Sequence, residues 1–275
     1  MTTLVIGARG SIGRYVVEQL LAAGDSARAS VRRLGSAEFP AGVSVVEADL
    51  LKTDTLEVAL HGVRRVFLYA PAEGAHCFVE AASRADLERV VVMSSGSVLL
   101  PYAAGNAIAR EHRAVEQTIS ASGLPWLPVR PLVLANNALH WADSIRSEGV
   151  VRLVHPEGRT APIHERDIAA VAVAALHGAP ADAILTGPEL LSQREQVEII
   201  ASAIGRRVHV EEITESRARQ RFGSMGDRET VEAILQFMRE STHGGSPATD
   251  TVQRFLGRQP AAFADWVADH TADFT

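Results

Sequence analysis

Three glycines in the first thirteen residues, Gly7, Gly10 and Gly13, constrain the fold of this chain more than any other feature. They follow the apolar run Leu4-Val5-Ile6 at G-x-x-G-x-x-G spacing and open a helix-patterned run that ends at Gly24. A second apolar segment, Ala29-Ser30-Val31, then stops at Arg32-Arg33. Strand, glycine turn, helix and strand in that order suit a dinucleotide. The glycines let the backbone turn tightly and approach a pyrophosphate, which the helix N-terminus meets with free N–H groups. The residue closing the second strand reads the ribose: a carboxylate accepts from a 2′-hydroxyl, whereas arginine neutralises a 2′-phosphate. Arg32 and Arg33 therefore predict NADP(H) rather than NAD(H).

The alternation continues. Residues 43–47 read as a strand ending in Ala48-Asp49-Leu50, 55–61 as a helix closed by Gly62, and 65–70 as a strand stopped by Pro71. Residues 75–84 are helical, 90–95 form an apolar strand running into Ser94-Ser95-Gly96-Ser97, 107–122 are helical, and 126–130 are a strand between prolines. Short apolar strands separated by helices predict βαβ units, a parallel sheet covered on both faces, and strand C-termini gathered on one ligand-binding edge. The expected class is α/β: a Rossmann-type doubly wound parallel sheet with a smaller, mostly helical C-terminal substrate lobe.

After Pro131 the pattern changes. Residues 136–147 look helical and 150–154 look like a short strand. A small-residue helix over 167–176 opens with Asp167 as cap or anchor, and 183–186 read as one more strand. Ser192-Gln193-Arg194-Glu195 is a capping box opening a helix to Gly205, 208–211 read as a strand, and the chain from Thr214 is mostly helical. Residues 1–135, with 163–188 returning to them, are expected to form the Rossmann domain. Residues 189–275, with 136–162, are expected to form a substrate-side lobe, and Gly244-Gly245-Ser246-Pro247 reads as a mobile loop.

Composition narrows the function classes. A net charge of −6 with no long basic run argues against a nucleic-acid partner. The single cysteine, Cys77, excludes an internal disulfide and suits a reducing cytoplasm, where it reads as a small buried hydrophobe. No basic-then-apolar leader pattern opens the chain and no apolar run reaches the length of a membrane span, so a cytoplasmic location is expected. His155, His164 and Asp167 have no recognised metal-ligand spacing, and no metal is expected.

The chain resembles the atypical short-chain dehydrogenases, specifically the NmrA-like NAD(P)H-binding branch. The resemblance rests on Gly7-Ala8-Arg9-Gly10-Ser11-Ile12-Gly13, Val31-Arg32-Arg33, Ala48-Asp49-Leu50, Glu116 with Ser122-Gly123-Leu124-Pro125-Trp126, Val129-Arg130-Pro131, and Ala161-Pro162-Ile163-His164 before Asp167-Ile168-Ala169. Thr186-Gly187-Pro188 and the Ser192 helix extend it over most of the chain. It implies cofactor contacts from Gly7, Arg9, Gly10, Ser11, Ile12 and Gly13 along the pyrophosphate, and from Arg32 and Arg33 at the 2′-phosphate. Asp49 and Leu50 would flank the adenine, Ala70 and Pro71 the adenosine ribose, and Ser94 would lie near the nicotinamide ribose.

The resemblance breaks at catalysis. Relatives with acid–base chemistry carry Tyr-x-x-x-Lys on the helix after the fifth strand, the lysine lowering the tyrosine pKa. Counting back from Glu116, those positions hold Ile108 and His112. Isoleucine moves no proton. His112 and Tyr102 are the candidate proton donors. Leu132, Leu134, Leu139, His140 and Trp141 are candidate pocket walls, and Tyr69 reads as structural. Three functions follow, in order of preference. The first is an NADPH-dependent reductase of a small apolar carbonyl or quinone-like substrate. The second is a non-catalytic NADP(H) redox sensor with a protein partner. The third is a redox-neutral isomerase, dehydratase or cyclase. The sequence leaves the oligomeric state open.

Overall fold

In the computed structural model, residues 1–275 are described except 36–37, 181 and 224–225. The first half runs β1 (Thr2–Val5), α1 (Gly13–Ala22), β2 (Ser26–Val31), β3 (Ser44–Glu47), α2 (Thr53–Leu60), β4 (Arg65–Leu68), α3 (Ala72–Ala82), β5 (Arg89–Met93) and α4 (Ala107–Ala121). It continues β6 (Trp126–Pro131), α5 (Ala142–Glu148), β7 (Val150–Leu153), β8 (Arg159–Thr160), α6 (Glu165–Leu176), β9 (Ile184–Leu185) and β10 (Leu191–Ser192). The last elements are α7 (Gln193–Ala203), β11 (His209–Glu212), α8 (Glu215–Phe222), α9 (Arg228–Ser241), α10 (Thr251–Leu256) and α11 (Phe263–Asp269).

Seven strands form one sheet in the order β3-β2-β1-β4-β5-β6-β9. Every pairing in it is parallel, with Val5 opposite both Ala29 and Phe67. The order reverses at β1, so β2 and β4 diverge from it and leave a crevice beyond their C-terminal ends. Because side chains alternate across a strand, Val5 enters one core and Leu4 the other. Val16, Val17 and Leu20 of α1 pack with Ile168 and Ala172 of α6 on one face; Leu56, Phe78, Val115 and Ile119 from α2, α3 and α4 cover the other. The strongly apolar Val90-Val91-Val92 follows from burial on both faces, since all three are fully buried.

A third apolar cluster lies outside the sheet. There β7 and β11 pair in parallel, and Ile145, Val151, Ile200, Phe263 and Trp266 bring together α5, α7 and α11. The Ser192 capping box is formed, its hydroxyl accepting from Glu195 N–H. Two expectations are corrected. The 136–147 segment is not one α-helix: a 3-10 turn spans Ala135–Trp141 before α5. Its leading amides are anchored across the chain, Ala135 N–H to the Ile163 carbonyl and Asn136 N–H to the Glu165 carboxylate. The C-terminal region is also not one continuous lobe, because α10 returns to pack on α6 and buries Val252 in the first core.

Helix α6 lies close to the sheet because Ala169, Ala172 and Ala175 occupy its fully buried positions. Ala172→Leu should overpack this layer and cost about 1–3 kcal/mol in urea denaturation. A stability equal to wild type would mean that the layer has room to spare.

Candidate functional site

Parallel pairing carries the C-terminal ends of six strands to one edge. Beyond β1 lies the glycine loop; beyond β2, Arg32 and Arg33; beyond β3, Asp49 and Leu50; beyond β4, Ala70 and Pro71; beyond β5, Ser94; and beyond β6, Leu132. Residues spread over more than 120 positions of sequence thus share one rim.

The loop geometry explains two of its glycines. Gly7 has φ +86°, a left-handed conformation that side chains disfavour. Gly13 opens α1 so close to the loop that a β-carbon would sit 2.1 Å from the Gly7 carbonyl oxygen. The turn closes through Gly10 N–H to the Gly7 carbonyl at 2.9 Å. Among the described residues, the amides of Ser11, Ile12 and Gly13 meet no protein acceptor. These N–H groups at a helix start form an anion cradle of the kind a pyrophosphate fills, so the loop fits a dinucleotide. Arg9, Arg32 and Arg33 are exposed, and among the described residues none has an ion-pair partner. Three exposed cations without an ion-pair partner among the described residues thus stand on the loops after β1 and β2.

Asp49 also organises its own turn: Oδ1 accepts from Leu51 N–H at 3.0 Å, and Oδ2 lies 3.8 Å from the Lys52 ammonium. Leu50 rests on the first turn of α3, where a β-carbon on Gly74 would come within 2.9 Å of its Cβ. Ala70 is buried and the exposed Pro71 caps α3. Tyr69, read from sequence as structural, is 56% exposed and stands beside Gly7 on the rim.

Ser94 is buried, and its hydroxyl donates to Glu116 Oε1 at 2.6 Å. Glu116 is held bidentately by Arg130, Nε to Oε1 at 2.8 Å and Nη2 to Oε2 at 2.7 Å, while Arg130 also donates to the Asp182 carbonyl. Both side chains of the pair are 13% exposed. Removing one partner of such a pair leaves the other charge desolvated, which costs about 3–5 kcal/mol. This pair ties α4 to β6. Residues four apart share a helix face, so His112 and Ile108 follow Glu116 along the same side.

His112 is half-buried, and desolvation lowers its pKa below 6.5, with the carboxylates of Glu111 and Glu116 opposing the shift less strongly. The imidazole is therefore neutral at neutral pH and has no cationic proton ready to give. Tyr102 is engaged within the protein. Its hydroxyl donates to the Gly245 carbonyl at 3.3 Å, and burial, with help from Glu240, pushes its pKa to about 12. The bond braces the 244–247 turn. That turn, expected to be mobile, is held by this bond and by Gly245 N–H to the Glu240 carbonyl, with Ser246 buried beneath.

The expected pocket walls separate. Leu132 packs over Gly96, and Leu134 joins the first-face core and bridges to Ile163. Leu139 and Trp141 lean into the third cluster, and His140 is exposed. Sequence reasoning missed Asn136 and Glu165. Asn136 Nδ2 donates to Ser11 Oγ at 2.9 Å, joining this turn to the glycine loop. Glu165 is 1% exposed; Oε1 accepts from Asn136 N–H at 2.9 Å and Oε2 from Trp266 Nε1 at 3.0 Å. The polar pair Asn136-Asn137 inside an apolar stretch was the available signal. Asp167 anchors rather than caps: His164 caps α6, while Asp167 accepts from Ala261 N–H and pairs with Arg258.

Two cavities lie away from this edge. One of about 320 Å³, lined by Leu60, Val63, Arg64 and Ala81, opens where β4 begins, on the opposite side of the sheet. Another of about 290 Å³ lies beside His155 and Glu215. Among the described residues no helix is long and apolar enough to cross a membrane.

Comparison with known proteins agrees with the cradle. Residues 7–179 match a family described as NAD(P)H-binding. The chain is 35% identical over 277 residues to the (4-alkanoyl-5-oxo-2,5-dihydrofuran-3-yl)methyl phosphate reductase of Streptomyces griseus, covering 98% of each chain. It is 33% identical to the NAD(P)H azoreductase of Xenophilus azovorans, again over 98% of each. Among solved structures, the NADPH-dependent quinone oxidoreductase of Escherichia coli has the same fold, with a TM-score of 0.81 at 22% identity over 98% of this chain and 99% of that one.

The lowered pKa of His112 has a sign that stability reports. As pH falls through about 6.5, the unfolded chain takes a proton that the buried ring refuses, so stability drops on the acid side. His112→Gln should flatten the urea midpoint between about pH 7 and about pH 5. An unchanged slope would place the ring in water.

Proposed function

Because the chain belongs to the NAD(P)H-binding family, in the NmrA-like branch of the atypical short-chain dehydrogenases, we propose that it is an NADPH-dependent reductase of small conjugated acceptors. An NAD(P)H-dependent reductase is what its full-length relatives are named to be. The narrower reading concerns the acceptor and the choice of NADPH. Bound NADPH supplies a hydride.

The observation that carries the acceptor class is the face of α4 that runs from Glu116. Ile108 has no proton to give, His112 is held neutral by burial, and Glu116 is locked between Ser94 and Arg130. An isolated carbonyl needs a proton delivered to its oxygen as hydride arrives. A conjugated acceptor spreads the incoming charge over its own atoms and takes its proton from water. The oxo-dihydrofuran, the azo compound and the quinone in the names of the similar proteins are acceptors of this kind. His112 remains able to donate an N–H hydrogen bond as a neutral ring. Leu132, packed over Gly96 beyond the end of β5, would supply apolar surface against such a ring system.

The cofactor choice rests on the three exposed arginines. In this reading Arg32 pairs with the 2′-phosphate, with Arg33 and Arg9 adding charge, and the Ser11, Ile12 and Gly13 amides hold the pyrophosphate.

Oxidation of NADPH at 340 nm against p-quinones, azo dyes and unsaturated lactones, beside simple aldehydes and ketones, tests the acceptor class. Turnover confined to the conjugated set is expected; equal turnover of simple ketones overturns it. Arg32→Ala should weaken NADPH binding about 10- to 100-fold and leave NADH within about 2-fold, the loss of one or two charged hydrogen bonds. Equal losses for both nucleotides would remove Arg32 from the phosphate.

A further inference from the structure

The hydrogen bond between Asn136 and Ser11 crosses from one part of the site to another, and neither the fold nor the reductase reading requires it. Ser11 lies in the glycine loop between Gly10 and the first residue of α1. Asn136 lies in the 3-10 turn beyond β6. The donor is the Asn136 amide nitrogen and the acceptor is Ser11 Oγ, at 2.9 Å. A serine hydroxyl has one proton and two lone pairs. With a lone pair occupied by Asn136, the proton of Ser11 is left to point elsewhere, and the neighbouring free acceptors are those of whatever anion fills the cradle.

Asn136 is itself held firmly. Its backbone N–H donates to Glu165 Oε1 at 2.9 Å, and its neighbour Ala135 N–H donates to the Ile163 carbonyl at 2.9 Å. Glu165 is buried and takes its second bond from the indole of Trp266, a fully buried ring stacked between Phe263 and His270. The amide that reaches Ser11 is therefore mounted on a rigid support whose far end is α11.

We infer that Asn136 is a cofactor-positioning residue: it fixes the Ser11 hydroxyl as a donor to the pyrophosphate, and Glu165 and Trp266 hold it in place. The inference rests on the glycine loop binding the cofactor pyrophosphate.

Binding of NADPH to the full-length protein, followed by the change in nicotinamide fluorescence, tests it. Binding of 2′-AMP, followed by calorimetry, is the control, because 2′-AMP carries the 2′-phosphate and lacks the pyrophosphate. Asn136→Ala and Ser11→Ala should each weaken NADPH about 3- to 20-fold and leave 2′-AMP unchanged. The double variant should lose no more than the worse single one, since both remove the same donor arrangement. Asn136→Asp should lose more than Asn136→Ala, because a carboxylate takes the Ser11 proton and sets a negative charge beside the phosphates. Ser11→Ala carries the test alone if Asn136→Ala does not fold. Wild-type affinity in Asn136→Ala, parallel loss of 2′-AMP, or additive losses in the double variant overturns the inference. Absence of NADPH binding by the wild-type chain overturns the cofactor reading beneath it.

Discussion

The site depends on a contact that exists only because an atom is missing. At Gly13 the helix start approaches the Gly7 carbonyl more closely than any β-carbon permits. That approach decides where α1 begins and which amides are left facing the sheet edge. Move the helix outward by the width of a methyl group, and the amides of Ser11, Ile12 and Gly13 no longer converge on one anion. The parallel sheet then does the rest, since it carries five more strand ends to the same rim without any further instruction from the loop.

A second constraint joins the rim to the C-terminal helices. Glu165 is a buried carboxylate with two N–H donors. Each such bond contributes about 1.5–3 kcal/mol, and taking the charge out of water costs several kcal/mol. The two nearly cancel. Glu165 therefore adds little to the free energy of folding, and its effect is geometric: it sets the 3-10 turn and α11 at fixed positions. Asp167, two residues further along the same helix, does the same for Ala261 and Arg258. The first turn of α6 is thus where the two parts of the molecule are pinned together.

The parts legible in the sequence are those with local causes. The glycine spacing, the apolar strands and the Ser192 capping box act over a few residues, and each produced the element expected of it. The family resemblance supplied the rim positions, and the parallel sheet brings them to one edge. What the sequence hid has distant partners. Tyr102 looked like a free phenol, but its direction is set by a carbonyl 143 residues away. The Ser94 hydroxyl finds its acceptor in Glu116, 22 residues on, which nothing local to Ser94 announces. The 136–147 stretch reads as one helix, yet its first part is a 3-10 turn whose leading amides are anchored to Ile163 and Glu165, far along the chain. Periodicity reports which face is apolar and says nothing of who accepts the N–H groups.

Distance along the chain also orders events in time. Ribosomal synthesis delivers the N-terminus first. The glycine loop and its two flanking strands exist as sequence after some thirty residues, but Asn136 follows 125 positions after Ser11, and Trp266 another 101 after Glu165. Contacts of such separation form late, because the intervening chain must first be ordered. The residues of the anion cradle are therefore among the first to be delivered during synthesis and among the last to be braced. A nascent chain stopped before Trp266 carries the loop without its support.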